Sequence, residues 1–225
     1  MPGQSPTSNH AALALLRADP DAALGKFGFV VDSSVYTAGT VGGGCLLSCE
    51  PAAGGNIFRL TAKQGAGDWF FPYINSADGG VGSCVVSQGQ SDGTISVTGG
   101  MNGCSLQVNK SGANFNFYHD NNGNSMKGKV YPGTEVCRVN YKDYVGPLDI
   151  GAKLVDQYLT ERVGAGYEYY CITVHHGGKW KVYVSALIRI TTVHKPFFGG
   201  AVSSTVEYKA FKPGITPLMT SFSDP

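Results

Sequence analysis

The sequence predicts an α+β fold, a β-rich sandwich of two mixed sheets flanked by one or two helices and loops. Three observations lead there. Short runs of alternating apolar and polar residues recur along the chain, each bounded by Gly, Pro, Asp or Asn. Glycine is abundant at 32 residues, with 12 tyrosines, 11 phenylalanines and only 15% charged residues, the composition of short strands joined by tight turns. One segment alone, Asp149–Arg162, carries a convincing helical period: Ile150, Leu154 and Tyr158 recur beside Val155 and Leu159, with Gly164 as the stop. Two sheets packed face to face with helices outside satisfy all three.

Along the chain, residues 1–10 read as a disordered leader, and residues 11–225 as a single catalytic domain. A first short helix is expected over Asn9–Ala18, capped by Ser8 or Asn9 and interrupted by Pro20. Strands are then expected at Phe27–Val31, Gly44–Ser48, Asn56–Ala62, Trp69–Ile74, Val81–Ser87, Thr94–Val97, Ser105–Asn109, Asn114–His119, Lys129–Tyr131 and Thr134–Tyr141. After the helix, three longer strands follow at Tyr167–His175, Trp180–Thr192 and Ser203–Phe211. The segment His176-Gly-Gly-Lys179 forms the turn between the first two. No internal repeat or long linker divides the chain.

Bulk properties exclude several function classes. A formal net charge of +1, without a Lys/Arg cluster, predicts no nucleic-acid surface. The apolar runs are too short for a membrane-spanning helix. The polar start, Met1–Asn9, lacks the basic region and apolar core of a cleavable secretory signal. The six cysteines, Cys45, Cys49, Cys84, Cys104, Cys137 and Cys171, are read as reduced, buried thiols. Cys45-x-x-x-Cys49 lacks a second ligand pair for zinc. Gly42-Gly43-Gly44 lacks the Lys-Ser/Thr of a phosphate loop, and the loop after Asp120 has Tyr131 where a calcium loop needs a carboxylate. His175, His176 and His194 read as solvated turn or loop residues. No metal or cofactor is expected.

The chemistry concentrates in one stretch. Cys104 follows the glycine-rich bend Thr98-Gly-Gly-Met-Asn-Gly103, and His119 ends an aromatic run fifteen residues later. A hairpin turning at Ser111-Gly112 sets the start of its first strand opposite the end of its second, which makes the thiol and the imidazole cross-strand neighbours. Histidine can then take the thiol proton and leave a nucleophilic thiolate. Asp120 adjoins His119 but faces away from it, so a main-chain carbonyl is the expected orienting group. An inert, buried Cys104 is the plainer alternative for a strand cysteine.

Over residues 94–120 the chain resembles the catalytic domains of cytotoxic necrotizing factor toxins and the related Burkholderia lethal factor, bacterial glutamine deamidases that act on host proteins. Their Leu-x-Gly-Cys motif is matched by Met101-Asn102-Gly103-Cys104, with Met for Leu and with Asn102 where the best-known members carry serine. Their histidine is matched by His119, and the threonine whose carbonyl completes the lethal-factor site is matched by Thr98. The resemblance implies a Cys104–His119–Thr98 site. Cys104 attacks a glutamine carboxamide, His119 shuttles the proton to departing ammonia, and a thioester is hydrolysed, with transglutamination as a side activity. Backbone N–H groups at Gly103-Cys104 are the expected oxyanion donors. Tyr36, Trp69, Phe70, Phe71 and Tyr73 are candidates for a substrate rim, core packing being the competing role for at least half of them. The resemblance further implies a monomeric virulence toxin or effector, secreted or injected into host cytoplasm. Its partner would be a host protein substrate, a Rho-family GTPase or a translation factor. Such a site should be accessible rather than deeply buried. Two other readings stay open: a non-enzymatic β-sandwich, such as an adhesin or carbohydrate-binding module, and a papain-like cysteine protease.

Overall fold

The computed structural model describes residues 10–75, 80–146, 148–160, 162–195, 201–212 and 217–224. Chain order begins with two short helices, α1 (Ala11–Ala18) and α2 (Pro20–Lys26). His10, not Ser8 or Asn9, caps α1: its Nδ1 accepts the Ala12 N–H at 3.2 Å. Asp19 caps α2, accepting from Ala22 N at 3.0 Å, with Pro20 at the first position, where its missing N–H costs nothing. The proline that breaks the first helix therefore starts a second.

Thirteen strands follow among the described residues: β1 (Gly28–Asp32), β2 (Gly43–Pro51), β3 (Ile57–Gln64), β4 (Asp68–Phe71), β5 (Val81–Ser87), β6 (Ile95–Thr98), β7 (Ser105–Ser111), β8 (Asn114–Asp120), β9 (Thr134–Val139), β10 (Val163–His175), β11 (Lys179–His194), β12 (Ser203–Ala210) and β13 (Leu218–Ser223). Between β9 and β10 lie α3 (Tyr141–Val145) and α4 (Ile150–Tyr158). The sheet-rich α+β class is as predicted. The corrections lie in detail. Among the described residues four α-helices flank the sheets rather than one or two. α3 begins where strand was expected, because the Asn140 N–H donates to the Asp143 carboxylate at 2.7 Å and turns the chain into a helix. α4 is capped by Asp149, which accepts from Ala152 N at 3.3 Å, and stops at Tyr158, short of Arg162. Lys129–Tyr131 is loop, with Val130 99% exposed and so without a packing reason to be strand. The leader, residues 1–9, lies outside the described residues.

The larger sheet has nine strands in the order β1-β3-β2-β4-β6-β10-β11-β12, with β13 also paired to β11. It is mixed, since β1 runs parallel to β3, and β4 to β6. The sheet curls until its ends approach: the Phe29 N–H donates to Ser185 Oγ at 2.8 Å, and Tyr208 N–H to Ala53 O at 2.7 Å. The smaller sheet, β5-β8-β7-β9, is wholly antiparallel rather than mixed: β7 and β8 form a hairpin, with β5 and β9 added antiparallel on either side, although β5 reaches β7 only by way of β6 in the larger sheet.

Strand alternation divides the core into two layers. Tyr170, Ile172 and Val174 of β10 join Ala12, Leu13 and Leu16 of α1 in one apolar cluster. The intervening Tyr169 and Cys171 join Trp180, Val182 and Val184 of β11 in a second, against the smaller sheet. From Tyr169 onward β10 is therefore buried on both faces, which accounts for the near-continuous apolar run of that half. A bidentate ion pair fixes α1 to the large sheet. Arg17 donates to both Asp68 oxygens, at 2.7 and 2.5 Å, and to Gly93 O at 2.6 Å. Asp68, 1% exposed, also accepts the Ile95 N–H at 3.0 Å.

Candidate functional site

The β7–β8 hairpin turns at Gly112-Ala113, with Gly112 at φ +58°, as a type II′ turn favours at its first central position. The turn lies one residue later than expected. Register therefore shifts by two: Leu106 pairs with His119 and Ser105 with Asp120, and Cys104 falls just before the strand. Cys104 is thus a diagonal rather than a direct neighbour of His119. A shift of two preserves the face, and Cys104 joins Leu106 and Phe117 in the core between the sheets. Diagonal positions are about 7–8 Å apart. The thiol accordingly bonds elsewhere, donating to Asn102 O at 3.8 Å.

The bend before Cys104 is a built element. Cys104 N–H donates to Met101 O at 2.8 Å, closing a four-residue turn with Gly103 at φ +81°. That φ is what a type II turn demands at its third residue. Asn102 ties this turn to β10 like a strand residue. Its Nδ2 donates to Tyr167 O at 2.6 Å, and its Oδ1 accepts Tyr169 N–H at 3.1 Å. The buried Tyr144 hydroxyl of α3 donates to Cys104 O at 2.9 Å and to Met101 O. The Cys104 N–H expected in an oxyanion site is therefore engaged in the turn.

His119 is fully buried. Its Nδ1 lies 2.7 Å from Thr98 Oγ1, while its Nε2 has no hydrogen-bond partner among the described residues. Thr98 thus meets His119 as the resemblance implies, but through its hydroxyl rather than its carbonyl. The reason is local: Thr98 is paired with Phe71 in the β4–β6 ladder, and its buried side chain reaches between the sheets. The Tyr73 ring packs on the imidazole, with centroids 5.2 Å apart. Burial pushes the His119 pKa down to about 4. Burial pushes the Cys104 thiol up, partly offset by the Asn122 N–H and reinforced by nearby Asp120. The resting pair is thiol and neutral imidazole.

Asp120 faces away from the imidazole, as anticipated. Its carboxylate accepts Ser125 N–H at 2.8 Å and Met126 N–H at 3.2 Å, folding the loop after β8 back toward Cys104. Asn122 in that loop holds a left-handed φ of +65°, a conformation asparagine tolerates better than most residues.

The structure brings Thr98 and His119 into contact and places Cys104 on the same face. It does not provide the open site expected: Cys104 is 2% and His119 0% exposed. Of the rim candidates, Phe71 and Phe70 are buried, and Trp69 is half-buried with Nε1 on Gln90. Tyr36, Phe70 and Tyr73 line a cleft of about 570 Å³ that reaches Gly99 and Gly100. All six cysteines are buried.

His175 is the residue the sequence reading misplaced. It is buried, not solvated, with Nδ1 3.2 Å from Asp92 and Nε2 3.3 Å from Asp224. The signal was the period-2 series Cys171, Thr173, His175, which carries it into the same core face. His194 pairs with Thr205 Oγ1 at 3.0 Å at the end of β11.

Three expectations follow. Thr98→Val should cost His119 its hydroxyl partner, and any His119-dependent activity should fall at least about tenfold with the fold retained; steady-state kinetics beside a melting curve checks this. Brief iodoacetamide treatment at neutral pH should label Cys104 first. Burial holds the other thiols further from ionisation, Cys49 at about 11 and Cys45 and Cys137 at about 12. Cys137 is the stringent comparison, since it is slightly more exposed than Cys104. Finally, the folded state refuses a proton at His119 until about pH 4, whereas the unfolded chain takes it near pH 6.5. Stability should be fully present above pH 6.5 and fall by up to about 3 kcal/mol as pH drops through that window. Urea unfolding of His119→Gln should show a shallower fall than the parent.

No known protein family matches this chain, and no curated protein matches it.

Proposed function

We propose that the chain is a protein-glutamine deamidase, a bacterial toxin or effector acting inside a host cell. The observation that carries this reading is the buried His119, with Nδ1 set against Thr98 Oγ1 and Nε2 unpartnered, on the face that also carries Cys104. With the Thr98 hydroxyl accepting from Nδ1–H, the Nε2 lone pair is the base. Because thiol and imidazole are both neutral at rest, proton transfer accompanies attack rather than preceding it. The Cys104 sulfur bonds the carboxamide carbon, and its proton passes through His119 to the departing ammonia. Water then adds to the thioester, gives its proton to His119, and the carbon–sulfur bond breaks to leave glutamate and the free thiol. The Gly103 N–H is the oxyanion donor in this reading. By resemblance, the substrate is a Rho-family GTPase or a translation factor.

One observation favours the non-enzymatic sandwich: Cys104 is buried and bonded to Asn102 O rather than to His119. Ammonia release from dialysed host-cell lysate separates the two. The deamidase reading requires release by the parent protein and none by Cys104→Ser. No release from either supports the binding module.

A further inference from the structure

The closed Cys104–His119 pair poses the question of how a substrate side chain arrives, and the cleft of about 570 Å³ offers the approach. It lies where β1, β4 and β6 end, with lining from Val30–Ser34, from Phe70 and Pro72–Ile74, and from Gly99 and Gly100 directly after Thr98. Mouths of curled sheets are common binding positions. Tyr73 belongs to both places, since it lines the cleft and its ring packs on His119, yet it is 41% exposed.

The glycines of this cleft are not explained by the fold. Neither Gly39 nor Gly100 has a left-handed φ, and a Cβ added at either would meet no atom of the described residues within 4 Å. Gly99 likewise has an ordinary φ, and its Cβ would only touch the Tyr73 Cβ at 3.4 Å. Glycine at such positions leaves the wall low, where another backbone approaches closely. The charges are unequal. Asp32, held ionised first by the Ser34 N–H, lines the cleft together with Arg59. Arg59 lies 3.9 Å from Asp32 and 3.3 Å from Glu50. Glu50 lies outside the cleft lining but holds Arg59 more closely than Asp32 does, so the guanidinium is shared between two carboxylates and Asp32 is left incompletely neutralised.

We propose that this cleft seats an extended segment of the substrate protein carrying a lysine or arginine, its backbone crossing Gly99 and Gly100 and its basic side chain directed to Asp32. Tyr73 is the inner wall, which the target glutamine displaces to reach the Cys104–His119 pair. The inference rests on the deamidase reading for the glutamine and on the cleft alone for the basic segment.

The test is binding, so that it is independent of turnover. Fluorescein-labelled twelve-residue peptide pools with a central Gln, one admitting Lys and Arg but no acids and the other the reverse, are titrated with Cys104→Ser protein and followed by anisotropy. The basic pool should bind at least about fivefold more tightly. Asp32→Asn keeps the bond to Ser34 and removes the charge, and should erase the preference. Gly100→Leu fills the floor and should weaken the basic pool at least about tenfold without altering the melting temperature. Equal binding of the two pools, binding of neither, or binding indifferent to Gly100→Leu would overturn the cleft proposal. Ammonia release by the parent protein in lysate reports separately on the deamidase reading. A cleft that binds as described beside a protein that releases no ammonia would reject the enzyme and keep the docking surface.

Discussion

Cys104→Ser and His119→Ala should each remove deamidase activity to background while leaving the fold intact. The double variant should be no worse than either single one, because the two groups act as a unit. The serine hydroxyl is far harder to deprotonate than the thiol, which burial has already made a reluctant acid. Alanine at 119 removes the base and opens a small void lined by Thr98 and Tyr73. Its cost to stability should be modest beside its cost to turnover. Circular dichroism and steady-state rates on the three variants check this, and near-native turnover by Cys104→Ser would end the nucleophile assignment.

The second large effect is on stability. Arg17→Met should destabilise the protein by about 3–5 kcal/mol, because it leaves the Asp68 carboxylate buried without its cation. Asp68 is 1% exposed and also holds the Ile95 N–H. The loss therefore reaches from α1 into the β4–β6 pair that carries Thr98. Replacing both partners, Arg17→Met with Asp68→Leu, should recover part of the loss, since an apolar pair leaves only the Ile95 N–H and Gly93 O to be satisfied. Urea midpoints of the single and double variants measure it.

Most of the strands were legible because period-2 alternation bounded by glycine is a strong local signal, and β5 begins and ends where the pattern does. What escaped depends on partners distant in sequence. β13 is a short segment that becomes strand only against β11. α3 needed the Asn140–Asp143 bond to turn the chain where the strand pattern of β9 was expected to run on to Tyr141. In the candidate site, hairpin geometry, which is local, placed Cys104 near His119, and the resemblance added Thr98 at the start of the glycine bend. The sequence reading missed the one-residue displacement of the turn, which makes Cys104 diagonal to His119. It also missed the exchange of carbonyl for hydroxyl at Thr98, because that depends on how β6 pairs with β4. Burial of the whole pair follows from the second sheet packing over it, which no local pattern encodes.

The most direct test is peptide-level mass spectrometry of host-cell lysate treated with the parent protein or with Cys104→Ser. The account predicts one glutamine in one folded host protein converted to glutamate, a gain of about one dalton, by the parent alone. Cleaved fragments, or an unchanged proteome under conditions where the protein is toxic to the cells, would contradict it.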